Sequence, residues 1–252
     1  MPIKKIKRKP TKKRKKRRSI HSRLLRPLIG LFVLLIAGSV VMTVLFRFVN
    51  PPITLYMVIR CAEQAFDDER NMSIHKEWKD ISDISPWIVR AVVASEDHQF
   101  LYHNGFKRNV TPKNRLRHVA EKKLMKNPSL SIQTAQNTFV WAGDAYITKG
   151  IRSYYTLLME VFWDKERIME VFLNTCEWGD GIYGVEAAAR HYFHKSAEDI
   201  SEYEAAILAA CLHGDYIKGV SPTARTTIAK ARSIIHLMRT VGPVDLHQNV
   251  AR

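Results

Sequence analysis

With 252 residues and a 46% hydrophobic share, the chain can hold one large domain or two small ones around a sizeable core. Its formal charge of +16 is concentrated at one end: residues 1–26 carry 14 Lys and Arg and no acid, whereas the remaining 26 basic residues meet 24 acidic ones, so the basicity says little about what the body binds. Cys61, Cys176 and Cys211 are odd in number and contain no C-x-x-C, which argues against a zinc ribbon or a redox pair; three small buried thiols are expected, with one disulfide as the alternative outside the membrane.

The basic tail alone would suit nucleic acid or a nuclear signal. The apolar run next to it argues otherwise. Leu28 to Phe46 is 19 residues without a charge, about the length that crosses a ~30 Å hydrocarbon core. Positive charge before this run, and only Arg47 soon after it, predict a single-pass helix with a cytoplasmic N-terminus and a tail lying against anionic inner-leaflet lipid. The length of the run, the long tail and the bulky residues after it disfavour a cleaved signal peptide. The expected organisation is a basic cytoplasmic tail (1–26), a transmembrane helix (27–47), a linker and lead-in segment (48–84) and a helical domain (85–252).

Asn50-Pro51-Pro52 ends the membrane helix, and Trp78 is expected to anchor the linker on the body. Ser85 reads as the N-cap and Pro86 as the first position of a helix over 86–96. Residues 104–128 are polar and basic, the pattern of a flap over an anionic substrate or of a solvated loop. The chain resumes after it with SLSIQTAQNTFVW at 129–141. Ile147, Ile151, Tyr155, Leu158 and Phe162 recur at helical spacing, as do Ile168, Met169, Val171 and Phe172. Gly179-Asp180-Gly181-Ile182-Tyr183-Gly184 breaks the pattern, and a helix over 185–193 comes next. Ser201 with Glu204 forms a capping box for a helix through Leu212, and Pro222 opens the last helix. No strand alternation and no internal repeat appears. The body is predicted to be one all-α domain.

Within it, Val89, Val92 and Val93 lie on the helical face that Glu96 extends. A carboxylate ending an apolar stripe is costly, which makes Glu96 a candidate general base; a loop cap or a structural ion pair is the plainer alternative. Glu160 and Glu170 are the other acids set in apolar helices, and two carboxylates across a cleft would suit chemistry at a glycosidic bond. Lys149 and Arg152 oppose the macrodipole at the start of their helix, which an anionic ligand such as a diphosphate would justify; pairing with Asp144 is the alternative. The G-x-G-x-x-G at 179–184 comes after a helical pattern rather than a strand, so a tight turn is expected there and not a dinucleotide loop. His98, His103, His191 and His194 complete no metal set.

AVVASEDHQFLYHNGF at 91–106 resembles the first motif, E-D-x-x-F-x-x-H-x-G, of the monofunctional biosynthetic peptidoglycan glycosyltransferases, relatives of the transglycosylase half of class A penicillin-binding proteins. KERIMEVFLN at 165–174 and WGDGIYGVEAAARHYFHK at 178–195 resemble the fourth and fifth motifs, and PPITLYMVIR at 51–60 is similar to the stretch after the family's membrane helix. The resemblance implies a lysozyme-like helical domain outside the bacterial cytoplasmic (inner) membrane, anchored by one helix. It implies lipid II as substrate, polymerised into β-1,4 glycan strands with release of undecaprenyl diphosphate. Glu96 would be the general base. Asp97, Phe100, His103, Ser131, Gln133, Asn137, Lys149 and Arg152 would bind substrate. A divalent cation, usually magnesium (Mg2+), would join the diphosphate. Partners would be lipid II, the growing glycan strand, the membrane and other cell-wall synthesis proteins, and no nucleic acid.

The second and third motifs depart from the family pattern. In KNPSLSIQTAQN at 126–137, Ile132 stands for a glutamine and Gln136 for a lysine. At 148–152, Thr148 stands for an arginine and Arg152 for a glutamate. The acid expected after Gly105 is missing, with Lys107 near its place. Arg152 lies one helical turn from Thr148 and so returns one positive charge to that face. These losses set a second reading beside the first: a catalytically weakened relative that binds lipid II or scaffolds cell-wall synthesis. A soluble lysozyme-type hydrolase is disfavoured by the anchor and by the fourth and fifth motifs.

Overall fold

The computed structural model describes residues 20–66, 73–107, 128–141, 143, 145–212 and 222–247, the stretch 20–25 by its backbone. Residues 1–19 of the tail, most of the polar 104–128 stretch and Asp144 therefore lie outside the described residues. The chain divides into two compact units after Met42. The first helix, α1, runs Ile20–Phe48. Its part from Arg26 to Phe48, with a mean hydropathy of 2.7, is long and apolar enough to cross a membrane.

The second unit starts inside α1, at Thr43. The last four carbonyls of any helix lack partners within it; here the domain reaches one of them, that of Phe46, and groups on either side of it. Trp163 Nε1 donates to the Thr43 carbonyl at 2.8 Å. The Arg167 guanidinium donates to the carbonyls of Phe46 (2.9 and 3.1 Å) and Val49 (3.1 Å) and to Asn50 Oδ1 (2.9 Å). Arg47 Nη1 returns a bond to the Phe162 carbonyl at 2.6 Å. Trp163 and Arg167 thus direct their polar atoms at the chain's exit from the apolar helix.

The 48–84 segment contains a helix, α2 (Leu55–Ala65), capped by Thr54, with Met57 and Gln64 buried. Further helices are α3 (Pro86–Glu96), α4 (Leu130–Phe139), α5 (Tyr146–Phe162), α6 (Lys165–Thr175), α7 (Val185–Phe193), α8 (Glu202–Cys211) and α9 (Arg225–Val241); α2 packs on α4. The expected helices are all present, and the Ser201–Glu204 capping box is formed. Ser85 holds the N-cap position of α3, but its hydroxyl donates to the Ile200 carbonyl at 2.7 Å instead of capping. Residues 222–224 form a turn, so α9 starts at Arg225 rather than at Pro222.

Three short strands, β1 (His75–Lys76), β2 (Glu177–Gly179) and β3 (Ile182–Tyr183), form a small sheet in the order β1-β3-β2. β3 pairs parallel with β1 and antiparallel with β2. Strands of two or three residues are too short to leave an alternation in the sequence. The glycine-rich segment is the β2–β3 hairpin and the lead into α7, the tight turn expected and not a nucleotide loop. Trp78 packs against the core beyond β1, 5.4 Å from the Arg167 guanidinium. Cys176 and Cys211 are buried, Cys61 is half-buried, and all three are free thiols.

The core has two helices apolar all round their middles. α3 buries every residue from Ala91 to Glu96 and packs on α8 and α9. α6 buries Ile168, Met169, Val171, Phe172 and Leu173 completely and supports α4. Helices of this kind belong at the centre of a domain. α4, flanked by α2, α5 and α6, buries the polar residues Ser131, Gln133, Thr134 and Thr138.

Gly184 has φ +88°, and a Cβ there would lie 2.8 Å from the Glu77 carbonyl oxygen. Gly184→Ala is expected to cost about 1–3 kcal/mol for the backbone conformation alone, with the clash added, measured by chemical unfolding. Gly150→Ala, in open space on α5, is the matched control and is expected to stabilise by about 0.5–1 kcal/mol.

Candidate active site

Glu96 is the last residue of α3 and is only 2% exposed. Gln133, on the inward face of α4, donates from Nε2 to Glu96 Oε2 at 3.3 Å and to the Pro128 carbonyl at 3.0 Å. Lys107 reaches back so that its ammonium donates to the Glu96 carbonyl at 2.6 Å. The carboxylate is thus held by an amide from α4, and its own peptide by a cation.

Beneath Glu96 runs a closed circuit of hydrogen bonds. Asp97 Oδ2 lies 2.8 Å from His103 Nε2 and accepts the Leu130 N–H at 3.0 Å. One residue on, the Ser131 hydroxyl donates to Glu160 Oε1 at 2.5 Å. Both Glu160 oxygens accept from Lys165 Nζ, at 2.8 and 3.0 Å, and Lys165 completes the circuit by donating to the His103 carbonyl at 2.7 Å. Phe100 lies under this ammonium, 4.7 Å away. Burial pushes the Lys165 amine below the usual lysine range, and Glu160 pulls it back. The Ser129 hydroxyl bonds to the Gly105 carbonyl while capping α4 through the Ile132 N–H. Gly105 has φ +85°, and a Cβ on it would come within 2.7 Å of Thr156.

Asp97, Phe100, His103 and Ser131 are each at most 2% exposed. They are expected substrate contacts by sequence, yet they lie under the base, where they leave little surface for a ligand. Gln133 and Asn137 remain beside Glu96: the Asn137 amide hydrogen-bonds the Cys176 thiol, whose environment also includes the Glu96 charge. One helical turn beyond Gln133, Gln136 Oε1 accepts from Arg152 Nη1 at 2.5 Å. Gln133 and Gln136 are about 4.5 Å apart along α4. Thr148 is buried. Lys149 is exposed, its ammonium 5.9 Å from the Tyr146 ring centre.

Glu160 and Glu170 do not form a second catalytic carboxylate with Glu96. Glu160 is engaged by Lys165 and Ser131, and Glu170 pairs with Arg167 at 3.2 Å. Among the described residues no three His, Cys, Asp or Glu side chains lie where they could hold a metal ion. Asp97 is turned inward onto His103 and Leu130. Lys165 and Lys107 are not picked out by the sequence as site residues. Lys165 has a detectable sign, because a lysine opening a helix opposes the macrodipole just as Lys149 does; its partner Glu160 is visible, but the bond between them is not.

A helical domain that sets one buried carboxylate beside amide and guanidinium donors has the parts for transferring a glycosyl group to a hydroxyl. The transglycosylase family profile matches residues 64–239. Relatives named biosynthetic peptidoglycan transglycosylase include one from Caulobacter vibrioides, 42% identical over 191 residues, which covers 75% of this chain and 80% of the relative. One from Shewanella oneidensis is 38% identical over 218 residues, covering 86% and 91%. One from Xylella fastidiosa is 41% identical over 174 residues, covering 69% and 72%. The chain belongs to the transglycosylase family, whose domain is lysozyme-like and helical.

Lys165→Met leaves Glu160 buried without its cation. Breaking one side of such a pair is expected to cost about 3–5 kcal/mol, read as a lower denaturation midpoint. Adding Glu160→Gln removes the stranded charge and should recover part of the loss.

Proposed function

We propose that the chain is a peptidoglycan glycosyltransferase that polymerises lipid II into β-1,4 glycan strands. The observation that carries the reading is Glu96, a carboxylate buried at the end of a core helix and oriented by Gln133. Family membership and the names of its relatives support the substrate class. Glu96 takes the proton of the acceptor sugar's 4-hydroxyl. The freed oxygen attacks the anomeric carbon of the lipid-linked donor. The bond from that carbon to the diphosphate oxygen breaks, its electron pair leaves with undecaprenyl diphosphate, and the α-linkage becomes β.

Gln133 and Asn137 line the base's side of the cleft. Arg152 and Lys149, three residues apart on α5 and so on one face, receive the diphosphate. Asp97, Phe100, His103 and Ser131 act through the circuit under Glu96. The apolar Arg26–Phe48 helix supports a single-pass anchor in the cytoplasmic membrane. The basic tail then lies inside and the catalytic domain outside, where lipid II, the growing strand and other cell-wall proteins meet it.

The test is the purified full chain with labelled lipid II, its products resolved by length. Polymer should form, and Glu96→Gln should lower the rate by about 10²–10⁴-fold. A wild-type chain that binds lipid II without making polymer, or a Glu96→Gln variant as active as wild type, overturns the reading. In the same assay Arg152→Ala should cost about 10²–10³ in kcat, and Arg152→Lys less, because a point charge keeps the attraction but loses the fork.

A further inference from the structure

Lys165, whose ammonium closes the circuit under Glu96, has a contact with the chain's exit from the apolar helix two residues away on either side. Trp163 Nε1 donates to the Thr43 carbonyl at 2.8 Å. The Arg167 guanidinium donates to the carbonyls of Phe46 and Val49 and to Asn50 Oδ1, at 2.9–3.1 Å. Thr43 to Asn50 belong to the same compact unit as α6. Between Trp163 and Arg167 in the chain, Lys165 donates to the His103 carbonyl at 2.7 Å and to both Glu160 oxygens. All three side chains are buried. The backbone that carries them has little slack. α5 ends at Phe162, α6 starts at Lys165, and the Asp164 side chain accepts the Arg167 N–H at 2.8 Å. Close-packed segments of this kind transmit a displacement instead of absorbing it.

We propose that Arg167 is a positioning residue for glycosyl transfer: by locking the exit of the apolar helix onto the first turn of α6, it fixes Lys165 and, through His103 and Asp97, the end of α3 that carries Glu96. The proposal rests on the transglycosylase reading, in which Glu96 is the base. Each link is a contact already described. Lys165 holds the His103 carbonyl, His103 Nε2 lies 2.8 Å from Asp97 Oδ2, and Asp97 follows Glu96 in the chain. The role goes beyond anchoring, because an anchor needs only a covalent tether. Here the end of the tether is bonded through buried groups to both sides of the lysine that closes the circuit. Arg167 uses its planar fork to do so. Nε and Nη2 share the Phe46 carbonyl, Nη2 also reaches Val49, and Nη1 reaches Asn50 and, at 3.2 Å, Glu170. A lysine ammonium keeps the charge but has no such fork. Transfer is sensitive to placement of this kind: a shift of about 1 Å made far from the reacting atoms can cost about 10²-fold in rate.

The test joins kcat of the full chain on labelled lipid II to the NMR signals of its histidine rings, assigned by substitution. Arg167→Gln combined with Glu170→Gln releases the exit without stranding the Glu170 charge. Its kcat should fall by about 10–10²-fold, with the unfolding midpoint still above the assay temperature. The His103 signals should move, while those of His191 on α7 and His236 on α9 stay in place. Arg167→Lys disturbs the fold less and should show the same two changes to a smaller degree. A kcat equal to wild type in the folded variants overturns the proposal. So does a lowered kcat with the His103 signals unmoved, or with all the histidine signals moved alike. If Glu96→Gln retains full activity, the transglycosylase reading itself falls; if Glu96→Gln is inactive and the Arg167 variants turn over like wild type, only this inference falls.

Discussion

The circuit Asp97–Leu130/Ser131–Glu160–Lys165–His103 is the interaction on which the active cleft depends. It joins the end of α3, the loop after it, the start of α4, the end of α5 and the start of α6 through side chains that are all nearly buried. Closed circuits of this kind are all or nothing. Each buried charge is tolerable only while its partners are in place, and removal of one leaves the others unsatisfied in a low-dielectric interior. Gly105 makes the closure geometrically feasible, because the loop must pass against Thr156 and Glu160 with no Cβ. Glu96, next to Asp97 at the end of α3, is set on this frame.

That frame also explains why so acidic a neighbourhood is stable. Glu96, Asp97 and Glu160 lie close behind one cleft, and two lysines answer them. Lys165 neutralises Glu160 from within the circuit, whereas Lys107 acts on the end of α3 from outside it. Gln133 is an amide partner of Glu96 and can orient a carboxylate in either protonation state.

Much of this is legible in the sequence, and the limits have physical causes. Local signals work: the Ser201–Glu204 box, the Pro86 start and the apolar periodicity of α5 each depend on residues a few positions apart. The apolar run at 28–46 lies within the Arg26–Phe48 stretch. The helix at Leu55–Ala65 reads as linker, and the strands at 75–76, 177–179 and 182–183 are too short to show a period. Glu96 can be found because an acid ending an apolar stripe is anomalous from sequence alone. The burial of Asp97, Phe100, His103 and Ser131 cannot, since a motif position does not reveal whether a side chain faces a ligand or a neighbour. Long-range pairs are the least accessible: Ser131–Glu160 and Gln136–Arg152 span 29 and 16 residues.

The Gln136–Arg152 contact gives the departures from the family pattern a common sense. Taken singly, an amide for a lysine and a guanidinium for a glutamate look like two losses of function. The two residues touch, however, and together they keep a donor–acceptor pair between α4 and α5 with its polarity reversed: the donor now sits on α5 and the acceptor on α4. The positive charge has crossed the cleft rather than left it. Because a guanidinium offers five N–H groups and Gln136 engages it through one bond, the fork keeps donors for a second, anionic partner. The altered motifs therefore describe a cleft whose electrostatics were rearranged around an unchanged base.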